Sequence, residues 1–148
     1  MSATNTIETG LLELILNNVD LANIGDATGL RGSSTAGSLY ISLHTSDPGE
    51  TGNQTTNECA YTSYARVAVT RSTVIKQWTV TTGSAVNANQ IQFPKATGGS
   101  ETATHFGIGY ASSGTGNLIL SGALTSSVAI SNNIQPTFAA GAITVTCD

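Results

Sequence analysis

Residues 39–44 read Leu-Tyr-Ile-Ser-Leu-His, and residues 104–110 read Thr-His-Phe-Gly-Ile-Gly-Tyr. In the first stretch Leu39, Ile41 and Leu43 alternate with Tyr40, Ser42 and His44; in the second Phe106, Ile108 and Tyr110 share a face. A period of two is the mark of a half-buried strand. The same rhythm continues outward on both sides. Residues 63–71 set Ala65, Val67 and Val69 against Tyr64, Arg66 and Ala68. Residues 73–81 carry Val74, Trp78 and Val80, and 88–93 end in Ile91 and Phe93 before Pro94. Leu118-Ile119-Leu120 opens a strand that Gly122 is placed to bulge or bend. Shorter strands follow near 126–130 and 134–138, and 142–147 closes with Ile143, Val145 and Cys147 on one face. Between these lie turn clusters such as Thr82-Gly83-Ser84 and Ser112-Ser113-Gly114-Thr115-Gly116. In the polar loop 45–62, Asp47-Pro48-Gly49 specifies a tight turn, since proline presets φ and glycine admits a positive φ. About eight short strands without crossover helices close a core as an all-β, jelly-roll-like β-sandwich of antiparallel strands.

Upstream the period changes. Ile7, Leu11, Ile15 and Val19 recur every four residues, with Leu12 and Leu16 widening the stripe. This predicts one N-terminal amphipathic helix over about 6–18, with Asn5 as N-cap and Glu8 as its box partner. Such a short helix must pack on something, either its own domain or a neighbouring subunit. Residues 25–37 are rich in Gly, Ser and Thr and read as a flexible connection. The chain thus divides into a helix and arm over 1–37 and a β-sandwich domain over 38–148.

Composition narrows the function. Only 9% of the 148 residues are charged, against about 25% in a typical soluble domain. Thr (23), Ser (16), Asn (11) and Gly (16) fill the gap. The five bases, Arg31, Arg66, Arg71, Lys76 and Lys95, are scattered and the net charge is −4. Nucleic acid is therefore not an expected partner, because phosphate binding needs clustered Lys and Arg. With 39% hydrophobic residues and a mean hydropathy of +0.06 the chain is not of disordered composition. No apolar run approaches a membrane span. The N-terminus lacks a basic region and does not read as a signal peptide. Cys59 and Cys147 are too few for a disulfide framework and read as a loop thiol and a small strand residue.

No catalytic constellation emerges, and no enzyme activity or cofactor is expected. His44 and His105 lack the companion ligands of a metal centre, and His105 reads as a partly buried, hydrogen-bonded histidine. Ser42, His44 and Asp47 lie close in sequence but without a nucleophile elbow or an oxyanion loop. Asp47, Glu50 and Glu58 match no Ca²⁺ loop. The glycine-rich stretches hold no phosphate-binding motif.

Four separated segments carry a resemblance. LYISLHTSDPGETGNQTTNE (39–58), YTSYARVAVTRS (61–72), THFGIGYASSGTGNLILSGALTSSVAI (104–130) and FAAGAITVTCD (138–148) occur in order and with the spacing of a family of small tailed-bacteriophage virion proteins. The chain departs from it over 73–93 and in ending Cys147-Asp148. The resemblance implies a capsid cement, or decoration, protein with a jelly-roll fold. Such a protein sits as a dimer or trimer on the outer surface of the head, bridges neighbouring major capsid proteins and is made in the bacterial host cytoplasm. Ile7, Leu11 and Ile15 on the helix, and Asp47 and Glu50 in the long loop, are the candidate partner contacts. The alternative is a host-surface, glycan-binding module of a tail fibre or spike, for which Tyr40, Tyr61, Tyr64 and Trp78 are the available aromatics.

Overall fold

The structure is a computed structural model, and it describes residues 3–147. Among them are one helix and nine strands: α1 (Asn5–Asn17), β1 (Ser38–His44), β2 (Val67–Thr70), β3 (Trp78–Thr81), β4 (Ser84–Asn87), β5 (Ile91–Gln92), β6 (Ser100–Gly109), β7 (Leu118–Ser131), β8 (Thr137–Phe138) and β9 (Thr144–Thr146). The strands form sheets ordered β2-β1-β6-β7, β3-β4-β9 and β5-β8. The pairings β1–β6, β6–β7, β3–β4, β4–β9 and β5–β8 are all antiparallel. The all-β class with one N-terminal helix is the fold that the alternation requires.

By contacts the chain forms two compact units whose boundaries differ from the 1–37 and 38–148 division. The first joins residues 1–38, 70–90 and 139–148; the second joins 39–69 and 91–138.

In the first unit, α1 buries Leu12 and Leu16, while Ile7, Leu11 and Ile15 are half-buried on its flank. Thr4, not Asn5, is the N-cap, and its side chain makes no capping bond, so the predicted box is absent. The far end is fixed more firmly. Asn17 is fully buried; its Nδ2 donates to the Trp78 carbonyl at 2.9 Å and its Oδ1 accepts the Trp78 N–H at 3.3 Å. Arg71 donates to the Leu14 and Ile15 carbonyls, each at 2.7 Å, and to that of Ala36 at 3.1 Å. A cation here answers the carbonyls that a helix end leaves unpaired. The 25–37 segment, expected as a flexible connection, is tied down. Leu21 and Leu30 pair as a β-bridge, Ser33 N–H bonds Asn18 Oδ1 at 2.8 Å, and Gly32 N–H bonds Asp20 Oδ1 at 2.7 Å. Trp78, Ala85, Ile143 and Val145 complete this core.

In the second unit Leu39, Ile41 and Leu43 are buried as expected, and so are Ser42 and His44, so the end of β1 is covered on both faces. Phe106 and Ile108 are buried, but Tyr110, predicted on their face, is 57% exposed because β6 ends at Gly109. The 63–71 alternation fails at its start. The strand begins only at Val67, so 63–66 lie before it and outside its alternation: Ala65 is exposed and Arg66 is buried. Tyr61, Tyr64, Phe93 and Phe138 form a chain of rings, with successive centroids 5.2, 6.2 and 6.1 Å apart.

Gly122 does not interrupt the following strand. A Cβ there would meet the Phe106 ring at 3.1 Å, so the glycine lets that ring lie against the sheet. One strand, β7, runs for 14 residues where two were expected. Two irregularities flank Gly122: Ile108 pairs with Leu120 and Gly109 with Leu118, which leaves Ile119 as a bulge, and a wider break falls just beyond Gly122. His105 pairs with Ala123 and Ala103 with Val128, so one residue of β6 (104) faces four of β7 (124–127). The strand therefore has two arms, Leu118–Ala123 and 128–131.

Candidate functional site

The long loop after β1 is built into the second unit. Thr45 N–H bonds the Asn57 carbonyl and Cys59 N–H the Leu43 carbonyl, each at 2.8 Å. The Asp47-Pro48-Gly49 turn forms as its sequence dictates, with Gly49 at φ 69° and its N–H bonded to Asp47 Oδ1 at 2.9 Å. Gly52 N–H closes on the Gly49 carbonyl at 3.1 Å, and Asn57 Nδ2 holds the Asp47 carbonyl at 3.2 Å.

Polar side chains carry the loop from below. Gln54 is fully buried. Its Oε1 accepts the Ala111 N–H at 3.0 Å, its Nε2 donates to the Ala111 carbonyl at 3.3 Å, and its own N–H bonds the Gly116 carbonyl at 2.8 Å. Cβ atoms at Gly109 or Gly116 would run into the Gln54 amide, so two glycines clear its slot. Arg66 grips Glu58 with two nitrogens, at 2.6 and 2.7 Å, and holds the Ala111 and Gly114 carbonyls at 2.9 and 2.8 Å. The carboxylate raises the Arg66 pKa further above its ordinary value. Tyr64 Oη donates to Glu58 at 3.0 Å and accepts the Leu43 N–H at 3.0 Å; burial, the larger effect, raises its pKa.

His44 Nδ1 lies 2.8 Å from the Thr56 carbonyl, which only accepts, so that nitrogen is assigned the proton; Nε2 then accepts from Ser42 Oγ at 2.8 Å. Burial holds the imidazole pKa below its ordinary value. The Ser–His pair is completely buried, and Asp47 spends its carboxylate on Gly49, so Ser42, His44 and Asp47 are not brought together as a triad. His105 Nδ1 lies 2.9 Å from Thr104 Oγ1. Cys59, read as a loop thiol, is 2% exposed, and burial beside Glu101 pushes its pKa up to about 12; Cys147 is also free. Among the described residues no three His, Cys, Asp or Glu side chains gather where a metal ion could sit.

What remains open to a partner is a groove. One wall is the Asp47–Gly52 turn, with Asp47 and Glu50 exposed at its rim. The other is the first arm of β7, from Leu118 to Ala123, with His105 alongside. Asp47 and Glu50 thus lie together on one surface. Ile7, Leu11 and Ile15 belong to the other compact unit. The β7 wall was not anticipated, although one trait was readable: residues 118–131 contain neither charge nor proline. Of the aromatics offered for glycan binding, Trp78 and Tyr61 are core residues, 0% and 3% exposed, and Tyr64 is engaged with Glu58. Among the described residues Tyr110 is the exposed aromatic.

Two comparisons bear on this surface. A family model described as "Podophage GP4 fiber I protein gp80" matches residues 2–146. No curated protein matches the chain.

Proposed function

Since the chain belongs to the podophage GP4 fiber I protein gp80 family, we propose that it is a structural protein of a bacteriophage virion and acts through protein contacts rather than catalysis. The match over nearly the whole chain carries this reading. The buried Ser–His pair and the fully committed Glu58–Arg66 pair agree with it, since their polar groups are engaged in holding the fold.

Within the virion two placements are proposed. As a capsid cement protein, the chain clamps neighbouring major capsid proteins from outside through Asp47 and Glu50 and through the helix flank of Ile7, Leu11 and Ile15, as a homo-oligomer multiplied by head symmetry. As a fibre component, favoured by the family's description, it would serve host-surface attachment, with exposed Tyr110 as the aromatic at hand. Copy number in purified virions separates them: hundreds per particle support cement, a dozen or fewer support the fibre, and absence from the particle refutes both.

A further inference from the structure

We propose that the Leu118–Ala123 arm of β7 receives an extended segment of a partner protein as an added strand. The segment lies in the groove beside the Asp47–Gly52 turn and carries a Lys or Arg toward Asp47 and Glu50.

Among the described residues β7 ends the order β2-β1-β6-β7, so its outer backbone is unpaired by any strand. Sheets usually protect such an edge with charge, proline, a bulge or a cover. The irregularity at 124–127 disrupts the middle of β7 and a one-residue bulge lies at Ile119, but Leu120–Ala123 run in unbroken pairing with β6, and the whole arm holds neither charge nor proline. Four consecutive β7 residues, Leu118 to Ser121, line the groove. Successive side chains point to opposite faces of a strand, so lining by consecutive residues means that the edge itself is accessible. The facing wall is held rigid by the Gly49–Gly52 and Asp47–Asn57 bonds. Main-chain pairing would supply the affinity and the charged rim the choice of partner.

A second copy of this chain is the weaker fit. Antiparallel self-pairing of this arm would set Asp47 and Glu50 of both copies about one twofold axis. No Lys or Arg lines the groove to offset them, and like charges facing across strands destabilise the pair. A basic strand answers the same acids.

The inference deepens the virion reading at its Asp47–Glu50 surface and rests on it only for the source of the strand. It is tested on the isolated full-length protein, so its failure leaves the copy-number test standing. The probes are three blocked nine-residue peptides: Thr and Val alternating around a central Lys, the same with Glu for Lys, and the Lys peptide with two prolines. Amide exchange followed by NMR should show the Lys peptide protecting alternate amides within the regularly paired Leu120–Ala123, because only every second edge amide faces outward. Glu50→Lys, checked for an unchanged thermal midpoint, should weaken binding by about tenfold, and added salt should weaken it in the wild type. The proline peptide should not bind. The proposal is overturned by absence of protection in β7, by equal binding of the Lys and Glu peptides, or by a peptide-free dimer with these amides already protected.

Discussion

Gln54 shows how a single loop residue sets the shape of the surface above it. Its amide closes two bonds with Ala111 inside a slot cleared by Gly109 and Gly116. Gln54→Ala leaves the Ala111 N–H without its partner and should cost about 1–3 kcal/mol in urea unfolding. Gly109→Ala collides with the same amide, so it should be less damaging in the Gln54→Ala background than alone; strict additivity in that cycle would refute the slot. His44 supplies a pH signature. Its folded pKa is depressed, chiefly by burial. The unfolded chain therefore takes up a proton near pH 6.5 while the folded chain does not. Its contribution is complete above that pH and is lost as pH falls through it. Urea midpoints between pH 8 and 5 should fall less steeply in His44→Gln, and identical slopes would discard the assignment. Gln54 did not stand out in the sequence, because nothing local distinguishes a glutamine in a solvated loop from one under it; His44 did, but the alternation set it on the face opposite the core, and its burial by the following loop is not a local property. Arg66 was misplaced for a similar reason: it precedes the first residue of β2, Val67, and the alternating side chains of 63–71 do not mark where the strand begins.

At the scale of elements, α1 depends on its C-terminal end. Arg71→Met removes the donors to Leu14 and Ile15 and should cost about 1–3 kcal/mol, with faster amide exchange in the last turn of the helix. Arg71→Lys should recover only part of this, since one ammonium cannot fork between the same carbonyls. Ile108, 0% exposed in β6, marks the strand phase. Ile108→Asp should abolish the cooperative unfolding transition, because an unpaired carboxylate there costs several kcal/mol; a stable variant would overturn the phase. The start of β1 and the close around β9 were legible because burial on one face leaves a period of two; the end of β1, buried on both faces, was not. The long β7 was not. Gly122 looked like a breaker, yet its missing Cβ makes room for Phe106, and the disruptions sit at Ile119 and at Leu124–Ser127, where the sequence carries no mark. The groove wall was hidden with it, since an edge exists only once the order of strands is known.

For the molecule as a whole, the low charge has a structural meaning. Arg66 and Arg71 are spent on holding loops and a helix end, and Lys76 is bound to Glu13 at 2.7 Å. Arg31 and Lys95 remain exposed but do not line the groove, whose rim is acidic. Virions lacking a cement protein should lose heat resistance; unchanged stability of such heads would count against that placement and leave the fibre. The division of the chain bears on a different kind of experiment. The unit that carries the groove is made of 39–69 and 91–138, interrupted by 70–90, which belong with both termini. Transplanting it into a related protein takes four junctions rather than two, and a fragment beginning at residue 39 still carries the 70–90 and 139–148 pieces of a unit stripped of its helix. Exchange of contiguous gene segments within 39–138 would therefore tend to yield chimaeras with a broken core, so whatever partner preference the groove encodes passes between relatives with the chain entire.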